Sequence, residues 1–405
     1  MKYLGELYPI VNLDAIVYNY DMNNTYAYSA GLKQVRENWQ TPPGTDADFV
    51  KDHLPEADEV IEYFKGVRIE KTAPGELFRE KYGNETMFLW ETPLQDVGTL
   101  DPHIIAGDGL STSTEDNLKT MFRSMKGGDF KGAVSNGLLR INYDIPGNNN
   151  VDIVFDLKSG TSSPDKYLST VGFYQTSPNG NTLDINSLIP NAEIVFARFK
   201  WYEYILRPSL LRAGMGIDGN RIHIMNSFFS DKVYREILTP AEILAHEAAH
   251  SWFAYKYPEV SNRSREFIIT QKRFQVIDIL SILMAFGVNG WYLLPSILVN
   301  AGGYIMSRDI NTALGKQYHS LLANESHSTY VQAVFSDYIR RKGFRIGELS
   351  QNQEIINANF TANFISLYQP LPWGLFDLAG IIAGGSSIPK GSKVEKSSQP
   401  LSFAA

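Results

Sequence analysis

Residues 239–250 read TPAEILAHEAAH, and this stretch decides more about the chain than any other. Thr239 can cap a helix, Pro240 suits its first position, and Glu242 completes a capping box. The pattern therefore predicts a helix that begins at Thr239. Pro258 predicts where it ends, because proline cannot continue a helix from within.

Two histidines and one glutamate in this helix have the spacing that zinc hydrolysis needs. His246 and His250 are four residues apart, so both imidazoles project from one face and can reach a single zinc ion. Glu247 follows the first histidine and can take a proton from a zinc-bound water, then deliver it to the leaving amine. The spacing predicts a zinc metallopeptidase of the HExxH, or zincin, class, with Glu247 as its catalytic residue.

The third zinc ligand has to come from elsewhere in the chain. Cysteine is absent, so only His, Asp or Glu can serve. Phe253 and Lys256 stand where metzincins have a glycine and a third histidine, which removes that group. Glu325 is the favoured ligand and Glu266 the alternative, because so few residues separate His250 from Glu266 that a helix can hardly end, turn and return.

Residues 324–329 read NESHST and resemble the second zinc helix of the gluzincins, which reads Asn-Glu-x-x-Ser-Asp in thermolysin-like members. The first, second and fifth residues match, and the resemblance supports Glu325 as a zinc ligand. Thr329 stands where the group has an aspartate. The orientation of the first histidine, His246, then depends on the Thr329 hydroxyl or on another residue such as Asp337.

A gluzincin site also implies a tyrosine or histidine that donates a hydrogen bond to the oxyanion. Tyr330 and His327 are the first candidates for this role. Further candidates are Tyr318, His319 and Tyr257.

Residues 279–306 carry no formal charge and form a second conspicuous segment. Glycines, asparagines and a proline interrupt it, which favours two short helices joined near Asn289-Gly290, either buried or dipping into a membrane. A transmembrane element is the alternative, since the length is sufficient. The apolar insertion, 276–306, also resembles membrane-associated gluzincins, which place apolar helices between the histidine pair and the glutamate.

Strand patterns precede the histidine helix. Residues 138–145 and 151–157 alternate apolar and polar side chains around a turn, which predicts a hairpin, and residues 171–175 predict another strand. The pattern of residues 191–206 is helical. A short strand at 221–225 suits a zincin, in which an edge strand binds extended substrate above the metal.

These patterns predict an α+β fold with a zincin-like C-terminal domain and a mixed α/β-strand N-terminal region. The predicted divisions are a mixed accessory region at 1–135, a hairpin-containing region leading into a helix at 136–210, a zincin domain at 211–345, a C-terminal extension at 346–384 and a disordered tail at 385–405.

Charge and composition narrow the classes of partner. The formal net charge of −7 argues against a nucleic-acid surface. No secretory signal peptide is recognisable near Met1, which predicts a cytoplasmic protein or export by a route that needs none. We therefore expect a zinc peptidase acting on a peptide or protein substrate, which is compatible with a protease toxin or effector. The alternatives are a metal-binding structural or delivery-machine component without turnover, and an integral-membrane metallopeptidase with a membrane partner through 279–306.

Overall fold

Ten strands in one mixed sheet and eight α-helices make up the described part of the chain, so the fold is α+β. The computed structural model describes residues 36, 39, 46–71, 88–93, 110–125, 129–135, 137–145, 149–158, 167–196, 215–218, 221–230 and 239–344. The predicted extension at 346–384 and the predicted tail at 385–405 lie outside these residues.

The strands are β1 Ile69–Glu70, β2 Phe88–Pro93, β3 Asp129–Ser135, β4 Leu138–Ile145, β5 Asn149–Asp156, β6 Leu168–Thr176, β7 Thr182–Asp184, β8 Glu193–Phe196, β9 Met215–Asp218 and β10 Arg221–Ile224. The helices are α1 Ala47–Lys51, α2 Ala57–Tyr63, α3 Thr112–Ser124, α4 Asn226–Ser230, α5 Pro240–Lys256, α6 Pro258–Gly287, α7 Leu293–Arg308 and α8 Ala313–Arg341. Short 3₁₀ turns cover Ile185–Leu188 and Gly290–Tyr292.

The main path of the sheet runs β2-β3-β4-β5-β6-β8-β10-β9. Strand β7 also pairs with β6, and β1 pairs with β7. All of these pairs are antiparallel except β8 with β10, which is parallel. Buried apolar side chains from the sheet and from helices α1 to α6 and α8 belong to one continuous core.

The predicted hairpin is confirmed. Strands β4 and β5 pair from Leu138 opposite Asp156 to Ile145 opposite Asn149. Side chains along β4 alternate between buried and more exposed positions, as the period of a strand with one covered face requires. The strand predicted at 171–175 is also present, within β6.

The helix predicted at 191–206 is wrong where the structure describes it. Glu193–Phe196 is strand β8, and its last three side chains, Ile194, Val195 and Phe196, are all buried. A strand covered on both faces carries consecutive apolar residues, so its sequence cannot be told from a buried helix by periodicity. Residues 197–206 lie outside the described part.

The strand predicted near Arg221 is present as β10, but it is not the edge of the sheet. It lies between β8 and β9, and β9 is the last strand of the described order. Just before β10 in the chain, Met215–Asp218 pairs with Arg221–Ile224 in antiparallel orientation.

Helix α5 begins as its sequence predicts. The hydroxyl of Thr239 accepts a hydrogen bond from the Glu242 N–H, and the Glu242 carboxylate accepts one from the Thr239 N–H. The helix ends at Lys256, and Pro258 opens α6 after a single intervening residue. Helix α8 ends at Arg341. Gly343 follows with a φ of 92°, and the N–H groups of Gly343 and Phe344 donate to the carbonyls of Arg340 and Ile339, which closes the helix.

Helices α6 and α7 form the predicted helical hairpin, with its turn at Asn289-Gly290, but α6 is a single helix of 30 residues and not a short one. Two placements were expected for this hairpin, buried or dipping into a membrane, and burial within the described chain is wrong. Many of its apolar side chains are exposed, including Phe286 at 90% and Trp291 at 78%. Within the described residues, no helix combines the length and the apolarity that crossing a membrane requires.

Candidate metal centre

Helices α5 and α8 pack together and bring three side chains with metal-binding atoms to one place. His246 and His250 lie one turn apart on α5, with ring centroids 4.8 Å apart. Glu325 of α8 faces both, and its Oε2 lies 3.6 Å from Nε2 of His246 and 3.8 Å from Nε2 of His250. One ligand atom from each residue lies within 4.8 Å of the others. All three side chains are half-buried.

The separations in this group fit an ion between the side chains better than direct contact. Distances of 3.6 and 3.8 Å are too long for hydrogen bonds. Two ligands that each lie about 2.1 Å from a tetrahedral ion are about 3.4 Å apart. Two imidazole nitrogens and a carboxylate oxygen are also a usual ligand set for zinc.

The orientation of His250 is fixed by α8. Its Nδ1 lies 3.0 Å from Oδ1 of Asn324 and 2.9 Å from Oγ of Ser328. The amide nitrogen of Asn324 points the other way, to the hydroxyl of Ser264. Because Asn324 Oδ1 can only accept, Nδ1 of His250 carries the proton, and Nε2 turns its lone pair toward Glu325.

His246 has no comparable support. Its Nδ1 is buried and has no hydrogen-bond partner among the described residues. Thr329, which stands where the gluzincins have aspartate, is buried on α8, and within the described part of the chain no hydrogen bond joins it to His246. Asp337 pairs instead with Arg340 and Arg341.

The Glu325 carboxyl is held in its ionised form. Burial raises its pKa, but the facing imidazoles of His250 and His246 lower it by more, so the pKa lies below the ordinary value. The group therefore presents one negative carboxylate and two imidazole nitrogens, which suits a divalent cation.

Glu247 lies on the flank of this group and is half-buried. At about 100° per residue, it is rotated about 100° from His246 and about 60° from His250 around the axis of α5. It is not one of the three converging residues. It therefore lies next to the two histidines along the helix.

Glu266, the alternative ligand, is not brought to the group. It lies on α6, and its carboxylate accepts a hydrogen bond from Nε2 of Gln317. Gln317 precedes Glu325 on α8 by about 12 Å at 1.5 Å per residue. Helix α6 starts directly after α5, and its Glu266 side chain lies beside Gln317 and not beside the histidines.

His327 and Tyr330 make packing contacts. Nδ1 of His327 donates to the His53 carbonyl, and its ring meets Trp252 and Phe253 edge-on. Burial lowers the pKa of His327 to about 4, so it is neutral at physiological pH. Tyr330 is fully buried against Trp39. Neither residue belongs to the three-residue group, because the helical twist turns both away from Glu325.

The N-terminal helices support the back of the site. Besides the bond from His327 to His53 after α1, Lys256 at the end of α5 pairs with Glu59 of α2 at 2.7 Å. Tyr63 stacks on Trp252 with ring centroids 4.8 Å apart. Helices α1 and α2 therefore pack on the two helices that carry the candidate ligands.

Asn324 and Ser328 are the site residues whose role the sequence did not assign. Both match the gluzincin pattern, and residues four apart share a helix face. That spacing was the available signal, but only the packing of α5 on α8 shows that His250 is their partner.

Comparisons with protein-family models, with curated proteins and with solved structures found no match to this chain.

Proposed function

We propose that this chain is a zinc-dependent peptidase in which His246, His250 and Glu325 hold the ion. The observation that carries the proposal is the convergence of three ligand atoms within 4.8 Å, in separations that suit a shared cation. The sequence HEAAH adds a glutamate at the position where this chemistry needs a base.

The donor set fits zinc. Nε2 of His250 faces the site with a lone pair because Asn324 Oδ1 accepts a hydrogen bond from the N–H at Nδ1. Three protein ligands are the usual number in catalytic zinc sites, which keep a further position for water or substrate. When bound there, zinc supplies Lewis-acid polarisation of a peptide carbonyl and a lowered pKa for water.

Glu247 performs the proton transfers in this proposal. Its carboxylate accepts the proton that the attacking water loses, and the same oxygen then delivers it to the nitrogen of the departing amine. The bond from the water oxygen to the carbonyl carbon forms first, and the bond between that carbon and the nitrogen breaks once the nitrogen has received the proton. A single carboxylate beside the ligands is sufficient for both steps.

Strand β9 is the element that we propose for substrate binding. It is the last strand of the described sheet and packs near α5. An extended peptide can add to such an edge through main-chain hydrogen bonds, which suits a substrate of varied side chains. This assignment replaces β10, which lies inside the sheet.

Metal analysis of matched variants tests the metal site. We expect the purified wild-type chain to hold one zinc ion, Glu325→Gln to lose it, and Glu266→Gln to keep it. The two substitutions remove the same charge from neighbouring helices, so a general effect of charge would appear in both. Loss of zinc from Glu266→Gln alone would contradict the ligand assignment.

Cleavage assays test the chemistry. Glu247→Gln should keep zinc and lose hydrolysis of unstructured proteins such as casein by at least about 100-fold, the usual contribution of a general base. Retained zinc without hydrolysis by the wild type on a broad panel would favour the alternative, a metal-binding component without turnover.

A further inference from the structure

The hairpin of α6 and α7 carries the largest group of exposed apolar side chains in the described chain. We call residues 276–306 the apolar hairpin. Its exposed large side chains are Val276, Ile277, Leu280, Leu283, Met284, Phe286, Val288, Trp291, Tyr292, Leu293, Leu294, Ile297, Leu298, Ile305 and Met306. Removing an apolar surface of this kind from water is strongly favourable, so the hairpin is more stable in an apolar environment than in water.

The buried side chains between the two arms of the apolar hairpin are polar. A hairpin exposed to water would bury apolar side chains there. Asp278, Ser281 and Ser296 are buried, with exposures of 0, 8 and 5%. The hydroxyl of Ser296 donates to Asp278 Oδ1 at 2.5 Å and joins the two arms. In a water-facing helix pair the apolar side chains would lie inside and the polar ones outside.

The apolar surface surrounds the hairpin instead of forming one stripe. At about 100° per residue, the exposed apolar positions of α6 in the hairpin span about 180° of its circumference. Those of α7 span about 220°. A protein partner that docks on one side would leave most of this surface in water. Hydrocarbon would cover all of it.

The turn at the end of the hairpin pairs four of its backbone donors internally. The N–H groups of Val288 and Asn289 donate to the Met284 carbonyl at 2.8 and 3.3 Å. The Trp291 N–H donates to Oδ1 of Asn289, and the Tyr292 N–H to the Asn289 carbonyl. Internal pairing of this kind is needed inside a bilayer, where no water replaces a missing partner.

The distribution of charge along the hairpin indicates how deeply it can enter a lipid bilayer. Residues 279–307 have no formal charge, whereas three basic residues, Lys272, Arg273 and Arg308, and one exposed acidic residue, Asp309, lie toward the open end of the two arms. The arm from Val276 to Gly287 is about 18 Å long at 1.5 Å per residue. One leaflet contributes about 15 Å of hydrocarbon. We infer that the apolar hairpin inserts into one leaflet of a lipid bilayer and returns to the same side, anchoring the chain to a membrane surface.

Vesicle flotation of the full chain tests this inference. We expect binding to phosphatidylcholine vesicles and stronger binding when phosphatidylserine is included, since basic residues lie at the open end. Leu283→Asp together with Leu298→Asp should lower the partition coefficient by at least about 100-fold. Ile269→Asp is the matched control, because Ile269 is also exposed on α6 but lies outside the hairpin. Its partition coefficient should stay within about twofold of the wild type.

A second measurement on the native surface makes the test independent of how the charged variants fold. Brominated phosphatidylcholine should quench tryptophan fluorescence in the wild type, and Trp291→Phe should remove most of that quenching. A wild type that floats with neither kind of vesicle overturns the inference. So does a dimer in solution that the aspartates dissociate, which would assign the surface to a second copy of this chain.

Glu247→Gln and zinc-depleted protein should bind vesicles like the wild type, so this result does not depend on the proposed function.

Discussion

The carboxamide oxygen of Asn324 lies 3.0 Å from Nδ1 of His250, while the amide nitrogen of the same side chain points to Ser264. This arrangement places the His250 proton on Nδ1 and leaves Nε2 facing Glu325. Ser328, one turn further along α8, meets the same Nδ1 at 2.9 Å. Helix α8 therefore supplies one candidate ligand and sets the orientation of another.

Asn324→Ala and Ser328→Ala are expected to weaken zinc binding without removing a ligand. Loss of a partner that orients a ligating histidine lowers metal affinity by about 10- to 100-fold. Competition with a chromophoric chelator measures the affinity of each variant. Gln317→Ala, on the same helix but paired with Glu266, should bind zinc like the wild type. Equal affinities in all three variants would contradict the orienting role.

Glu242 gives stability a dependence on pH. Burial raises the pKa of its carboxyl. The folded state therefore favours the protonated form, and the free energy of unfolding falls as pH rises from the ordinary pKa through the raised one. The slope reaches at most about 1.4 kcal/mol per pH unit for one proton. Denaturant unfolding at a series of pH values measures it.

Glu242→Gln should remove this part of the pH dependence. Ser336 lies 2.5 Å from Glu242 Oε1 and 2.9 Å from the Gln332 carbonyl, yet its hydroxyl has one proton to donate. A neutral amide can donate to Ser336 and still accept from the Thr239 N–H, as the protonated acid does. Glu259→Gln on the exposed surface of α6 is the control, and a change of slope there of equal size would refute the assignment.

Gly315 is required at the start of α8. A Cβ at this position would lie 1.8 Å from the carbonyl oxygen of Asp309, so Gly315→Ala forces the backbone apart. We expect a loss of about 1–3 kcal/mol in the free energy of unfolding. Gly302→Ala meets nothing within 4 Å and should instead add about 0.5–1 kcal/mol through helix propensity. Thermal and denaturant unfolding measure both changes.

Zinc should stabilise the wild-type fold, since a shared ion ties α5 to α8. At a free zinc concentration 1,000 times the Kd, linkage gives about 4 kcal/mol. Scanning calorimetry before and after chelation should therefore show a lower Tm for the chelated wild type. Glu325→Gln should show little change on chelation. A fall of equal size in that variant would place the stabilising metal elsewhere.

Local signals let the sequence predict several elements correctly. Thr239, Pro240 and Glu242 define the start of α5 through bonds within one turn. The hairpin of β4 and β5 was predictable because its strands alternate around a short polar turn. In each case the deciding interactions lie within a few residues of sequence.

Predictions failed where the environment of a segment decides its conformation. Glu193–Phe196 reads equally well as helix or strand, and its place between β6 and β10 makes it a strand. Strand β9 has no strong pattern of its own and forms by pairing with β10. For the apolar hairpin, burial and membrane insertion were both expected, and only the packing of α6 and α7 shows that its apolar side chains are exposed in the described chain.

The sequence by itself determined helix α5 and the presence on it of His246, Glu247 and His250, because a capped helix and a spacing of four residues are local properties. Only the tertiary structure decided which glutamate joins the histidines. Glu325 does so because α8 packs on α5 in a register that brings its carboxylate to both imidazoles, whereas α6 carries Glu266 toward Gln317. That register is set by side chains distant in sequence, so the local motif at 324–329 could favour Glu325 by resemblance but could not establish its contact with the histidines.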